Sequence, residues 1–115
     1  MTVKKGTQAA DLPGVIAFEM KPESPKGGER YTVNCFMVNQ GKQPISVKDL
    51  IVTVVQNGRK MSSPVQALVS SVAPGDRAKI LETSDIWKED TTSWSFELLL
   101  RTPRLESYKN SIVWK

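Results

Sequence analysis

The chain reads as an all-β protein, a sandwich of antiparallel strands, and three observations predict it. No segment sustains the 3.6-residue apolar period of an amphipathic helix. Two segments, Tyr31 to Met37 and Trp94 to Leu100, alternate apolar and polar residues as half-buried strands do. Turn signals rich in Gly, Pro and Asn recur roughly every ten residues, the spacing of a sandwich. The length of 115 residues accommodates about seven to eight strands in one domain.

Residues 1–13 are polar with little periodicity and are expected to form a flexible N-terminal arm, leaving 14–115 as the sandwich domain. The first strand is Gly14 to Met20, which its flanking prolines Pro13 and Pro22 place at an edge. Pro22 to Glu29, with Gly27-Gly28, is a loop. The organising stretch follows: a strand from Tyr31, a turn at Asn39-Gln40-Gly41 credited to tolerance of positive φ, and a second strand from Ile45 to Gln56. Phe36 and Val38 interrupt the polar alternation, so both faces of the first strand are expected to be covered there. Lys48-Asp49 shifts the alternation of the second strand and suggests a bulge. Asn57-Gly58 is the strongest hairpin signal, because a type I′ turn needs positive φ at both central positions.

Beyond it, Arg59 to Ser63 and Val65 to Val72 read as shorter strands broken at Pro64. Ala73-Pro-Gly-Asp76 is a tight turn, and Ala78 to Leu81 another strand. Thr83 to Thr92 is acidic and irregular, with a helical turn expected from Ser84. Trp94, Phe96, Leu98 and Leu100 belong to the core, meeting Val33, Cys35 and Met37. Thr102 to Asn110 reads as a loop, and Ser111 to Trp114 as the closing strand.

Composition narrows the function. Lys and Arg exceed Asp and Glu by 16 to 12, a net charge of +4, and the basic residues are scattered as singles and pairs. A nucleic-acid surface gathers them on one stripe, so no nucleic-acid partner is expected. Cys35 is the one cysteine, which excludes an intrachain disulfide, and its place in an alternating strand assigns it to the core. No apolar run is long enough to cross a bilayer, and the N-terminus lacks the apolar segment of a signal peptide.

The order of features resembles bacterial immunoglobulin-like modules of the fibronectin-III and CARDB kind. The resemblance rests on Tyr31-x-Val33-x-Cys35-x-Met37-Val38-Asn39-Gln40-Gly41, on Pro44-Ile45-x-Val47-x-x-Leu50-x-Val52, on Pro74-Gly75 before a strand, and on Trp94-x-Phe96-x-Leu98-x-Leu100-x-Thr102. It spans residues 14–115 and implies an immunoglobulin-like antiparallel β-sandwich used for adhesion, spacing and protein contact, with no catalytic residues. A lone Cys35 departs from the disulfide-pinned antibody form.

The tested constellations are sparse. Histidine is absent, which removes Ser-His-Asp and Cys-His catalysis and the commonest zinc ligand. Glu82, Asp85, Glu89 and Asp90 could surround calcium, although their spacing matches no calcium loop. Lys26-Gly27-Gly28 lacks the strand-to-helix setting of a phosphate loop. Trp87, Trp94 and Trp114 could form an aromatic platform; of these Trp87, in a polar segment, is the candidate exposed contact, beside Arg59 and Lys60 at the hairpin tip. The expectation is a non-enzymatic interaction or spacer module of a larger bacterial protein, without metal or cofactor, contacting a protein partner through edge strands and loops. Weak homo-association would run along residues 59–72. The alternative is a small carbohydrate-binding or calcium-assisted adhesion domain. The compartment follows the parent protein, extracytoplasmic if that is secreted or membrane-anchored and cytoplasmic otherwise.

Overall fold

Alternation in the sequence becomes burial in the structure. Along Arg30–Asn39 the side chains of Tyr31, Val33, Cys35 and Met37 are buried, while Thr32, Asn34, Phe36 and Val38 lie half-buried on the opposite face. The computed structural model describes the backbone of residues 3–5 and all of residues 13–103 and 107–114. Its strands are β1 (Val3–Lys5), β2 (Gly14–Lys21), β3 (Arg30–Asn39), β4 (Ile45–Ser46), β5 (Asp49–Gln56), β6 (Arg59–Val65), β7 (Ser71–Val72), β8 (Arg77–Ile86), β9 (Trp94–Arg101) and β10 (Ser107–Trp114). The described residues form ten strands and no helix, more strands than the seven to eight expected because β1, β4 and β7 are too short to show a period.

Two sheets carry the fold. One has the order β1-β10-β9-β5-β6 and the other β2-β3-β8, with β4-β7 as a small separate pair. All pairings are antiparallel. The two segments read as the organising stretch therefore part company: β3 is central in the three-stranded sheet and β5 lies in the five-stranded one. Between the sheets Phe18 meets Phe96 edge-on at 6.0 Å and Tyr31 meets Trp94 at 5.7 Å. Trp94, Phe96, Leu98 and Leu100 face inward as expected, in one core with Val33, Cys35 and Met37. Asn110 is 9% exposed, and its amide donates to the Ile16 carbonyl at 2.7 Å, tying β10 to β2 across the layers.

Several local expectations are corrected. Within the expected arm, Val3–Lys5 forms a strand paired with Ile112–Trp114; residues 6–12 lie outside the described residues. Lys48-Asp49 marks a change of sheet, β4 leaving to pair with β7. The bulge sits instead in β8, opposite the Cys35/Phe36 step, where one extra residue lets both Ile80 and Leu81 turn inward. Pro64 lies within β6 without breaking it, and β8 continues to Ile86 where an irregular segment with a helical turn was expected. β10 begins at Ser107, before the expected Ser111, and residues 104–106 lie outside the described residues.

Asn39 closes its turn by hydrogen bonding and not by positive φ. Its buried amide donates to the carbonyls of Gln43 (2.7 Å) and Val72 (3.0 Å), and its oxygen accepts from the Gly41 N–H (2.9 Å). Phe36 is covered from outside by the Arg77 guanidinium, 3.8 Å above the ring, in agreement with cover on both faces at that point.

Candidate functional site

The hairpin β5–β6 turns at Asn57 and Gly58, whose φ angles of 51° and 80° are the pair a type I′ turn demands. Its tip is anchored as well as exposed. The Asn57 side-chain oxygen accepts from the Thr92 N–H (2.7 Å), the Thr92 hydroxyl (2.9 Å) and the Ser93 N–H (3.2 Å). Its amide donates to the Asp90 carbonyl at 3.0 Å. Gln56 adds a bond to the Thr91 hydroxyl at 2.8 Å, so the tip and the segment before β9 form one unit.

Trp87 precedes that segment in the chain. With 4% exposure the residue is core, not the exposed contact expected of a tryptophan in polar sequence. The reason is aromatic packing. Its ring lies 5.5 Å from Tyr31, 5.5 Å from Trp94 and 5.1 Å from Trp114. The Trp87 N–H donates to Glu29 O and its carbonyl accepts from Gly28 N, fixing the backbone beside β3. The carbohydrate platform thereby loses its accessible ring.

Arg59 and Lys60 are exposed, as expected of contact residues, and head the edge strand β6. The two-residue turn makes Gln56–Arg59 the closing bonded pair. Alternation then sends the backbone N–H and C=O of Lys60 and Ser62 outward from the sheet. Pro64 falls on the same outward phase, where its missing N–H costs β6 no bond to β5. This is why a proline fits inside the strand.

On the facing sheet β8 is also an edge. Because Trp87 bonds Glu29, alternation along β3–β8 turns the backbone groups of Glu82, Ser84 and Ile86 outward. Ile86 N–H is met by its neighbour Asp85 at 2.7 Å, and Ile80 O accepts from Leu68 N at 2.9 Å. The open part of this edge therefore runs from Glu82 to Ile86. The acidic residues of the segment are not gathered into a cation site: Glu82 pairs with Lys79 at 2.7 Å, and no group of three His, Cys, Asp or Glu among the described residues could hold a metal.

β6 and β8 flank the same side of the sandwich. β2 lies over β10 through the Asn110–Ile16 bond and β3 over β9 through Tyr31–Trp94, so β8 lies over β5 and, among the described residues, no strand covers β6. Met61, opposite Val54 on the inner face, is 52% exposed as a result. Leu68 and Ile86, 59% and 44% exposed, sit at the two ends of the open β8 edge. Among the described residues, the exposed large hydrophobics Met61, Leu68 and Ile86 all border this side. Elsewhere, a groove of about 310 Å³ is lined by residues including Pro13, Lys42, Ile45 and Tyr108, and one of about 450 Å³ by Lys48, Asp49 and Arg101 with the shared Thr102 and Pro103.

Cys35 is fully buried, and burial pushes its thiol up to about 12, so it stays protonated near neutral pH. Tyr31 is also raised, by burial first and then by the negative charge of Asp85.

No family model matches the chain, and no curated protein matches it by sequence. Solved structures do. Spo0M, a sporulation control protein from Bacillus subtilis, superposes with TM-score 0.57 at 9% identity over 86% of this chain and 47% of its own. The Pseudomonas fluorescens alkylpurine DNA glycosylase AlkC, bound to DNA with an abasic site analog, gives 0.55 at 15% identity over 84% of this chain and 29% of its own. R. palustris CsgH gives 0.51 at 12% identity over 84% and 89%. The chain thus spans about half of Spo0M and under a third of AlkC. At these identities the likeness is one of fold.

Proposed function

We propose that this chain is a non-catalytic, immunoglobulin-like contact module of a larger bacterial protein, binding a protein partner along the open β6/β8 side. The immunoglobulin-like reading is supported by strand order: β2-β3-β8 faces β10-β9-β5-β6, with β3 and β5, separated in the chain only by the two-residue β4, in opposite sheets. The modular reading draws support from Spo0M and AlkC, bacterial chains in which a similar fold is a fraction of the whole. The observation that carries the contact site is the uncovered inner face of β6, with Met61 half in solvent beside the open edge of β8. Surface charge is consistent with a protein partner, since Lys21, Lys79 and Lys109 are each engaged by a glutamate.

The test is photo-crosslinking from single positions in the parent organism's cells. A photoreactive residue in place of Lys60 or Ser84 should yield covalent protein adducts, and one in place of Lys109 on β10 should not. Adducts absent from Lys60 and Ser84, or equally abundant at Lys109, would remove the contact site from this side.

A further inference from the structure

We propose, on the basis of the contact-module reading, that the partner on this side is a second copy of the chain, each copy laying its β6 beside the other's β8. Three features of the fold converge on this exchange.

The first is shape. The five-stranded sheet extends one strand beyond the three-stranded sheet at β6, which leaves a lane one strand wide next to β8 and above β6. A two-fold axis parallel to the strands, midway between the sheets and above β6, carries the β6 of a second copy into that lane. The same rotation puts the first copy's β6 into the second copy's lane. An overhang of one strand is what lets both lanes fill at once, and the contact closes on itself as an isologous dimer.

The second is direction and register. Tyr31 at the start of β3 meets Trp94 at the start of β9, and further along both strands Phe18, paired with Cys35, meets Phe96. So β3 and β9 run the same way. β6 is two antiparallel steps from β9, and β8 is one from β3, which makes β6 and β8 antiparallel to each other. Arg59 is level with Trp94 through Gln56, and Asp85 is level with Tyr31, so the rotation sets Arg59 opposite Asp85, Lys60 opposite Ser84, Met61 opposite Thr83 and Ser62 opposite Glu82. In this register the outward backbone groups of Lys60 and Ser62 meet those of Ser84 and Glu82, the pairing an antiparallel ladder requires. The ladder stops before Pro64, at the point where Leu68 already occupies Ile80 O.

The third is charge and apolar surface. Arg59 and Asp85 fall side by side on the inner face, twice per dimer, joining the basic end of one strand to an acidic position of the other. Lys79 and Glu82 satisfy one another on the outer face at 2.7 Å, so Asp85 is the acidic group left for Arg59. The two Met61 side chains meet across the axis and lose the exposure that the monomer leaves them.

Sedimentation velocity of the purified chain over a range of concentrations into the millimolar range is the experiment. A monomer–dimer equilibrium weakened by salt is expected, with Arg59→Glu or Asp85→Arg weakening it on the order of tenfold to a hundredfold and the double exchange restoring it. Both residues are exposed, so these variants keep the core intact. Met61→Cys should give a covalent dimer with a short bismaleimide, while Lys109→Cys should not. A monomer at every concentration, or a dimer indifferent to both charge reversals, overturns the proposal. A monomer that still forms Lys60 adducts with other proteins in cells would overturn the second copy as occupant and leave the contact-module reading standing.

Discussion

β5 and β6 are the two arms of one hairpin, paired residue for residue from Gln56–Arg59 to Leu50–Val65, yet they live in different solvents. Leu50 and Val52 are buried, whereas every β6 residue from Arg59 to Pro64 is exposed. The difference is not in the pleat, because Met61 and Val54 share a face. It lies in what stands opposite: β8 over β5, and no strand of the described residues over β6. Burial of a strand is thus a property of the facing layer, and a surface of this kind is where a partner can gain what the monomer forgoes.

The contrast breaks down if truncation costs the same on both sides. Leu98→Ala, at a fully buried position of β9, should lower unfolding stability by about 2–5 kcal/mol in a denaturant titration. A loss below about 1 kcal/mol would mean that this side of the core is as loose as the open one.

The closed side should also respond to alkali. The folded-state value of Cys35 lies above its ordinary 9.0, at about 12, so its contribution to stability is complete below pH 9 and is lost as pH rises towards 12. The slope approaches about 1.4 kcal/mol per pH unit within that window. Tyr31, raised in the same sense from 10.0, adds to it in the upper part of the window. Comparing unfolding midpoints from pH 8 to 11 for the native chain and Cys35→Ala should show a shallower decline in the variant; parallel curves would contradict the assignment.

Between the two regions stands the hairpin tip. Asn57→Ala removes four side-chain hydrogen bonds and puts Ala at a φ of 51°, an expected loss of about 1–3 kcal/mol. Asn57→Asp keeps the acceptor for Thr92 and Ser93 and should recover most of it, as thermal melts would register.

The smallest effect sharpens the comparison most. Met61→Thr should shift the stability of the dilute monomer by no more than about 0.5 kcal/mol, because half of the side chain is already in water. A loss near that of Leu98→Ala would show that β6 is part of the core after all.

Much of this was legible in the residues. The alternation from Trp94 to Leu100 gave the inward set directly, because a strand covered on one face must place its apolar residues two apart. Asn57-Gly58 named its own turn, since few other dipeptides accept two positive φ angles. Trp87 misled for an equally physical reason. Its sequence neighbours are polar, but its spatial neighbours are Tyr31, Trp94 and Trp114, drawn from three other strands. Asn110 looked like loop and proved to be an interlayer tie whose partner, Ile16, lies at the far end of the chain.

By itself, then, the sequence determined the all-β class, the Asn57-Gly58 turn and the inward faces of β3 and β9, all of which depend on interactions between residues close along the chain. Only the tertiary structure decided which strand lies over which, and with it the burial of Trp87, the parting of β3 and β5 into opposite sheets, and the uncovered β6. Those outcomes depend on contacts between layers. A period of two specifies that a face is apolar but carries no record of the strand that will cover it.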